Sequence, residues 1–191
     1  MLKKTKKNMF ISTFFIAFLV LFDQITKYAA AYFLKNQPAI PIIKDIFELQ
    51  YLENRSAAFG MDPISLLHNI FSISAFDKNP DLFLTFRMVF LVVFTVVILL
   101  CLVILYLRIP ENRRYRYMNW ILLFFIAGAI GNFIDRITHQ YVIDFFYFKL
   151  INFPIFNVAD IYVTVSAFFM IVLGLFYYKD EDFEVFFPSR I

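Results

Sequence analysis

Four long apolar stretches constrain this chain more than any other feature of its sequence. They cover about residues 9–34, 84–106, 118–137 and 156–178. A helix needs roughly 20 apolar residues to cross the hydrocarbon layer of a membrane, and each stretch meets that requirement. Because lipid offers no hydrogen-bond partners to the backbone, we expect these segments to be helical. The sequence therefore predicts an integral membrane protein, mainly α, in which residues 1–191 form a single domain with four transmembrane helices.

Composition agrees with a membrane location. The chain is 61% hydrophobic and contains 28 Phe residues, whereas soluble domains are typically about 45–50% apolar. The net charge of +3 is small, and no basic–aromatic motif is present, so we expect no nucleic-acid partner. Residues 9–34 are also too long for the core of a cleaved signal peptide, which favours a retained first span.

The basic residues predict the orientation of the four spans. They lie before the first span, between the second and third, and after the fourth: Lys3, Lys4, Lys6, Lys7, Arg108, Arg113, Arg114, Arg116 and Lys179. Short loops rich in Lys and Arg stay in the cytoplasm. We therefore expect both termini to be cytoplasmic, with about residues 35–83 and the link 138–155 on the extracytoplasmic side.

The long extracytoplasmic segment has a pattern of its own. Residues 47–51 alternate apolar and polar side chains, which predicts a half-buried strand of a small β element, with Pro41 in a preceding turn. Residues 54–60 are typical of a small-residue loop. Residues 64–76 are apolar but too short to span, so we predict an amphipathic helix on the membrane surface. Residues 77–81 resemble a turn that leads into the second span.

Two carboxylates stand out near the extracytoplasmic end of the spans. Asp160 lies in an apolar helix, where an ionisable group is costly and its presence indicates function. Asp144 lies in the link before that helix, at the same predicted depth. Two carboxylates brought close together share one proton. The ionised group can then activate a water, and the protonated group can serve as an acid, which is the chemistry of an aspartic peptidase.

Five motifs, in order along the chain, resemble those of one known family. They are DQITK at residues 23–27, NRSAAFG at 54–60, GNFIDR at 131–136, VIDF at 142–145 and FNVAD at 156–160. Any one of them alone is weak. Together, on a frame of four spans, they are similar to signal peptidase II, the bacterial lipoprotein signal peptidase.

This resemblance implies a membrane-embedded aspartic endopeptidase of the bacterial cytoplasmic membrane, with its active site facing the extracytoplasmic side. Its substrates would be prolipoproteins, cut just before a cysteine that carries a diacylglyceryl group, and the cyclic peptide globomycin would inhibit it. Asp144 and Asp160 match the catalytic dyad. The residues that match the lining of the site are Asn54, Asn132, Arg136 and Asn157. The resemblance implies no metal and no cofactor, and membrane lipid is the expected surrounding; we expect a monomer.

Four charged residues outside the dyad have further interpretations, three of them structural. Asp23 and Lys27 are spaced i, i+4, as in a helical ion pair, so we expect them to neutralise each other and to shape the site. Asp135 is expected to be structural. Arg136 is expected to support an anionic substrate.

Other functions can be formulated from the same residues. Ser56 as nucleophile with Lys27 as base would make a Ser–Lys hydrolase. A proton-coupled transporter or channel subunit would also need membrane acids, but distributed across the bilayer, whereas here they gather at one level. A non-catalytic scaffold would not explain that gathering. A zinc peptidase is disfavoured because there is no His-Glu-x-x-His segment.

Overall fold

The computed structural model describes residues 4–56, 63–71 and 74–186. In chain order its elements are α1 (Lys6–Leu34), β1 (Ile40–Ile43), β2 (Phe47–Asn54), α2 (Pro63–Phe71), α3 (Ser74–Lys78), α4 (Pro80–Arg108), α5 (Arg116–His139), β3 (Val142–Phe148), a 3-10 turn (Lys149–Ile151), α6 (Val158–Phe176) and α7 (Asp180–Phe186).

The internal contacts divide the chain into two compact units. The first unit comprises Met1–Asp23, Val97–Gly131 and Val158–Ile191, and the second comprises Gln24–Val96 and Asn132–Asn157.

The four predicted spans are confirmed as helices. α1, α4, α5 and α6 are each long and apolar enough to cross a membrane. α5 differs from the others because half of its most apolar window is buried, against 11–17% for the other three. α1, α4 and α6 expose many large apolar side chains, such as Phe14, Val93 and Phe168. Such surfaces suit contact with lipid tails.

The turn predicted at residues 77–81 is wrong. α3 continues to Lys78, and α4 begins at Pro80, four residues before the predicted start of the second span. Only Asn79 separates the two helices. Its side-chain oxygen accepts a hydrogen bond from the Leu82 amide at 3.1 Å, and proline is favoured at the first position of a helix. A capping pattern of Asn followed by Pro was therefore misread as a turn.

The small sheet has the order β1-β2-β3, and both pairs are antiparallel. The strand predicted at 47–51 is confirmed and extends to Asn54. Pro41 lies in β1 and not in a turn; β1 is an edge strand, where a missing backbone donor is tolerated. β3 lies within the link that the sequence analysis left without structure. Its apolar run does not alternate because four successive residues are buried, starting at Val142.

The single helix predicted at residues 64–76 corresponds to two helices, α2 and α3, and residues 72 and 73 between them lie outside the described residues. Its place on a membrane surface stays a prediction. Residues 57–60 of the predicted loop lie outside the described residues, as do Lys3 and the last five residues of the chain. The fourth span begins at Val158, two residues later than predicted.

The core of the first unit joins α4, α5 and the C-terminal helix α7. Its buried members include Leu102, Leu122 and Phe186. α7 is held by Arg114, which forms an ion pair of 2.5 Å with Asp182. The hydrogen bonds from Arg114 hold the pKa of the Asp182 carboxyl well below its usual range, against the opposing effect of burial. The segment that follows Lys179 therefore begins as a helix.

Candidate active site

Asp144 lies on β3 in the second unit and is fully buried. Both of its carboxylate oxygens accept a hydrogen bond from a side-chain amide. Asn54 donates to Oδ2 at 2.8 Å, and Asn157 donates to Oδ1 at 2.6 Å. Hydrogen bonds to a carboxylate favour its ionised form over the acid. Two amide donors therefore stabilise a negative charge on Asp144 over the neutral acid at this buried position.

The sheet places Asn54 beside Asp144. In the ladder between β2 and β3, Asn54 pairs with Val142 and Leu52 pairs with Asp144. Asn54 and Asp144 are thus diagonal neighbours on one face of the sheet. The side-chain oxygen of Asn54 accepts a hydrogen bond from the Ser56 amide at 2.8 Å. With its oxygen engaged there, the amide directs its NH₂ group towards Asp144.

A bridge outside the named strands places Asn157. The Phe156 amide donates to the Phe146 carbonyl at 3.0 Å, and the Phe156 carbonyl accepts from the Phe146 amide at 2.8 Å. This exchange fixes the residue before Asn157 against β3. Asn157 also donates to the carbonyl of Ile143 at 3.3 Å. Its side chain is therefore positioned by the strand that carries Asp144.

A buried polar network extends from Asn157 towards a lysine. Asn132 on α5 accepts hydrogen bonds from Asn157 at 3.2 Å and from the ammonium of Lys27 at 2.9 Å. Lys27 forms an ion pair of 3.1 Å with Asp135. Both charged side chains are almost completely buried. The charges of Lys27 and Asp135 balance each other within the protein interior.

Asp135 also joins α5 to the strand that carries Asp144. Its Oδ2 accepts a hydrogen bond from the backbone N–H of Ile143 at 3.0 Å, and its Oδ1 accepts one from the side chain of Gln24 at 2.9 Å. Ile143 immediately precedes Asp144. Asp135 therefore has a positioning role that links α1, α5 and β3.

Arg136 reaches the backbone beyond Asn54. Its guanidinium donates to the carbonyl of Ser56 at 3.4 Å and to the carbonyl of Asn132 at 3.5 Å. Both contacts are long. Ser56 takes part through its backbone N–H and carbonyl, and these contacts do not depend on its hydroxyl.

A surface ion pair lies beside Asn54. Lys35 donates to Glu53 at 2.8 Å. This hydrogen bond raises the pKa of the Lys35 ammonium and lowers the pKa of the Glu53 carboxyl. The pair neutralises two charges at the solvent-facing side of β2.

Asp160 belongs to the first unit, where it lies in the first turn of α6. The same turn is capped by Asp23, a fully buried residue of α1, which accepts a hydrogen bond from the Ala159 amide at 2.9 Å. A carboxylate at a helix N-terminus is favoured by the unpaired amides and by the helix dipole. Asp23 therefore fixes the backbone next to Asp160.

Gly131 makes room for this cap. A Cβ atom at position 131 would lie 2.5 Å from Oδ2 of Asp23 and 3.2 Å from Cβ of Ala159. One turn earlier, a Cβ at Gly128 would lie 2.6 Å from the carbonyl oxygen of Ala159. The two glycines allow α5 to approach α6 closely at the level of Ala159.

A comparison with models of known protein families identifies the family of this chain. The model described as signal peptidase (SPase) II matches residues 15–176. The chain belongs to the signal peptidase II family. Two relatives are both named lipoprotein signal peptidase. The protein of Caldanaerobacter subterraneus subsp. tengcongensis is 41% identical over 160 residues, covering 83% of this chain and 90% of that protein. The protein of Clostridium tetani is 36% identical over 168 residues, covering 86% and 90%.

Two solved structures support the fold of this signal peptidase II. Both are described as bacterial membrane enzymes. One shares 25% sequence identity with a TM-score of 0.67, and covers 100% of this chain and 99% of its own. The other shares 28% identity with the same TM-score, and covers 93% and 99%. The four-helix membrane fold is therefore shared with solved bacterial membrane enzymes, and the family makes this chain a peptidase.

Most of the predicted site residues meet in one unit. The second unit brings Asp144 together with Asn54, Asn132 and Asn157. In the same unit, Arg136 donates to the carbonyl of Asn132. Asp160 and Asp23 lie in the first unit. Within the described ranges, no group of three or more His, Cys, Asp or Glu residues is arranged to hold a metal ion.

Sequence reasoning did not identify Gln24 or the long-range partners of two charged residues. Gln24 is a polar side chain within an apolar helix, a signal that could have identified it. Asp23 and Lys27 were expected to neutralise each other, and that pairing stays a prediction. The structure shows Lys27 with Asp135, which is far away in the sequence, and Asp23 with the Ala159 amide. No spacing rule predicts contacts between separate helices.

Proposed function

We propose that this signal peptidase II removes signal peptides from prolipoproteins, cutting before a cysteine that carries a diacylglyceryl group. The relatives named lipoprotein signal peptidase support this substrate class. The four membrane-spanning helices support it physically, because an apolar signal peptide resides in the bilayer. A peptidase with its reacting groups at the level of the helix ends can reach the end of such a segment.

The proposed catalytic groups are Asp144 and Asp160, acting as an aspartic dyad. The observation that carries this proposal is the buried Asp144 carboxylate with an amide donor on each oxygen. A charged group is retained in such a place only where its hydrogen bonds offset the loss of water. Asp160, in the first turn of an apolar helix, is the second acid that the family motifs indicate.

We assign the ionised state to Asp144 and the shared proton to Asp160. Each hydrogen bond to a charged group contributes about 1.5–3 kcal/mol, and Asp144 accepts two from amides. In a dyad that shares one proton, hydrogen bonds that stabilise the anion of one carboxyl group favour placing the proton on the other.

The reaction then runs in two steps. Asp144 takes a proton from water as its oxygen bonds to the scissile carbonyl carbon, while Asp160 gives its proton to the carbonyl oxygen. In the second step the carbon–nitrogen bond breaks. Asp144 returns its proton to the leaving amine of the cysteine, and Asp160 recovers a proton from the tetrahedral intermediate. Both carboxyl groups end in their starting states.

Asn54, Asn132, Asn157 and Arg136 are proposed to support this dyad and the substrate. Asp23, Asp135 and Lys27 position the backbone around it. We place the enzyme in the bacterial cytoplasmic membrane, with the dyad on the extracytoplasmic side and both termini in the cytoplasm. The cyclic peptide globomycin is the inhibitor expected of this family. A single copy of the chain carries every proposed group.

The test is cleavage of a lipidated prolipoprotein by purified protein in detergent or vesicles. Asp144→Asn and Asp160→Asn should each lower turnover by at least about 100-fold, since each removes a proton-transfer group. Asp45→Asn is the matched control: it makes the same substitution in an exposed hairpin turn at positive φ, which Asn tolerates. Wild-type turnover by either dyad variant would overturn the assignment.

The Ser–Lys alternative is tested in the same assay. Ser56→Ala preserves the backbone contacts that Ser56 makes and should retain activity. Loss of activity in Ser56→Ala, with activity kept in both aspartate variants, would instead support a serine nucleophile.

A further inference from the structure

A cavity of about 560 Å³ lies in the first unit, apart from every residue of the proposed catalytic network. It is formed by the start of α1, the segment that joins α4 to α5, and the start of α5. Its lining includes the basic residues Arg113 and Arg116 and the apolar residues Phe15, Trp120 and Leu123. The cavity thus combines cationic groups with an aromatic and aliphatic wall.

The other charges around this cavity are already matched. Lys4 lies 3.9 Å from Glu111, donates to Asn119 at 2.7 Å and sits 3.5 Å above the ring of Tyr106. Burial lowers the pKa of the Lys4 ammonium to about 8, with Glu111 opposing the shift. Asn8 donates a further hydrogen bond to Glu111. The Glu111 carboxylate therefore has Lys4 and Asn8 as partners, and these are not arginines.

Arg113 and Arg116 remain uncompensated. Both are exposed, and in the ranges 4–56, 63–71 and 74–186 neither forms an ion pair with a carboxylate. Two guanidinium groups among the lining of one cavity provide fork-shaped donors for phosphate oxygens.

Polarity falls with depth along both helices that line the cavity. α1 presents Asn8, Ile11 and Ser12 and then Phe15, and α5 presents Arg116 and Asn119 and then Trp120 and Leu123. Arg116 and Leu123 are seven residues apart, about 10 Å along a helix. Phe15 packs edge-on against Trp120, with ring centroids 5.0 Å apart. A phospholipid changes from phosphate through glycerol to methylene over a similar distance, and Trp side chains favour that interfacial depth.

We propose that this cavity binds an anionic phospholipid, with its phosphate against Arg113 and Arg116 and the first methylenes of its acyl chain along Phe15 and Trp120. Basic pockets between membrane helices are suited to anionic headgroups. The site is independent of the peptidase reaction, because it shares no residue with the dyad or its supports.

The test uses the fluorescence of Trp120, the only Trp of the chain. The full-length wild-type protein is placed in bilayers of unlabelled phosphatidylcholine. Phosphatidylglycerol or phosphatidylcholine with bromine near the glycerol end of the acyl chains is then titrated in. We expect half-maximal quenching at a roughly tenfold or more lower mole fraction of the anionic lipid than of the neutral one. Equal quenching by the two lipids would overturn the proposal.

The charge contribution is isolated with matched double variants. Arg113→Gln/Arg116→Gln should lose the preference for phosphatidylglycerol, whereas Arg108→Gln/Lys179→Gln removes the same charge outside the cavity and should keep it. Arg113→Lys/Arg116→Lys should restore part of it. Unchanged preference in the Arg113→Gln/Arg116→Gln protein would refute the site. Full competition by millimolar glycerol phosphate or inorganic phosphate would also refute it, because it would indicate a soluble-anion site.

Discussion

Asp144 shows how this protein keeps a charged residue in a buried place. Each of its oxygens receives an amide hydrogen bond, and the two donors come from different parts of the second unit: the end of β2 and the residue before α6. Further contacts orient those donors, with Ser56 on the oxygen of Asn54 and Asn132 beside Asn157. A network in which every member is satisfied is rigid, whereas a partly satisfied one is costly. Single substitutions in it should therefore have measurable effects.

Replacing Asn54 by Ala should change the pH dependence of cleavage. Without this donor the Asp144 carboxylate binds a proton more readily, so the ionised base is lost sooner as pH falls. The acid limb of the kcat/KM profile should move to higher pH, and kcat/KM at neutral pH should fall by roughly 10- to 100-fold, because the base is also held less firmly. The measurement is a pH–rate profile with a lipidated precursor.

The control for this experiment is Gln50→Ala, which removes an exposed side-chain amide from the same strand. Its profile should overlay that of the wild type. An Asn54→Ala protein with an unmoved acid limb would argue against Asp144 as the base.

Lys27 and Asp135 allow the contribution of a buried ion pair to be measured. Lys27→Met leaves the Asp135 charge buried without its cation, which should destabilise the protein by about 3–5 kcal/mol. The double variant Lys27→Met/Asp135→Asn should be less destabilised than the sum of the two single changes. Thermal unfolding in detergent gives the required differences.

The exposed pair Lys35–Glu53 provides the comparison. Lys35→Met breaks an ion pair in solvent and should change the melting temperature little. If Lys27→Met were as mild as Lys35→Met, the buried pair would have no special structural role.

At the scale of elements, the close approach of α5 to α6 depends on two missing side chains. Gly128 faces the backbone carbonyl of Ala159, and Gly131 faces the carboxylate of Asp23. Helices in membranes associate through small residues because lipid supplies no hydrophobic driving force. The contact also allows the Ala159 amide to donate a hydrogen bond to Asp23. Ala159 immediately precedes Asp160. Packing of the two helices and placement of the proposed acid therefore rest on the same glycines.

Gly128→Ala should destabilise the protein by about 1–3 kcal/mol, since a Cβ placed 2.6 Å from a backbone oxygen forces α6 to move. Gly131→Ala should displace the Asp23 carboxylate from the Ala159 amide. It should therefore lower the cleavage rate as well as the melting temperature. Gly174→Ala is the control, because its Cβ would meet only Phe183 at 3.8 Å. In a helix that change is neutral or stabilising by up to about 1 kcal/mol. Melting temperatures that rank Gly174→Ala lowest would contradict this account.

At the scale of the whole molecule, four spans and an uneven distribution of basic residues define a multi-pass protein. The basic groups cluster near the first residues, between α4 and α5, and after α6. If α1, α4, α5 and α6 all cross the bilayer, the segments before α1 and after α6 lie on the same side of the membrane. The excess of Lys and Arg at those ends predicts that this side is the cytoplasm.

Labelling with a membrane-impermeant thiol reagent tests the orientation. After Cys101→Ala, single cysteines at Lys7 and Lys179 should react only when the cytoplasmic face is opened. A cysteine at Lys44, in the hairpin between β1 and β2, should react in intact cells. Labelling of position 7 from outside would reverse the proposed topology.

Local sequence was sufficient for the four helices, the strand that begins at Phe47 and the identity of the polar motifs. The reason is that a helix in lipid must be apolar along its whole length, and a half-buried strand must alternate. Both are properties of neighbouring residues. The family motifs likewise contain Asp144, Asn54 and Asn157, which the structure joins by hydrogen bonds; their roles stay predictions.

The partners of those residues were decided only by tertiary contacts. Asp144 receives Asn54 because β2 and β3 pair in one register, and Lys27 meets Asp135 across 108 positions of the chain. Asp23 caps α6 because two glycines permit α5 to approach it closely. β3 itself was missed, since a strand buried along most of its length loses the alternation by which strands are recognised. Such contacts depend on chain registers and on helix separation, and neither is set by the residues next to them in sequence.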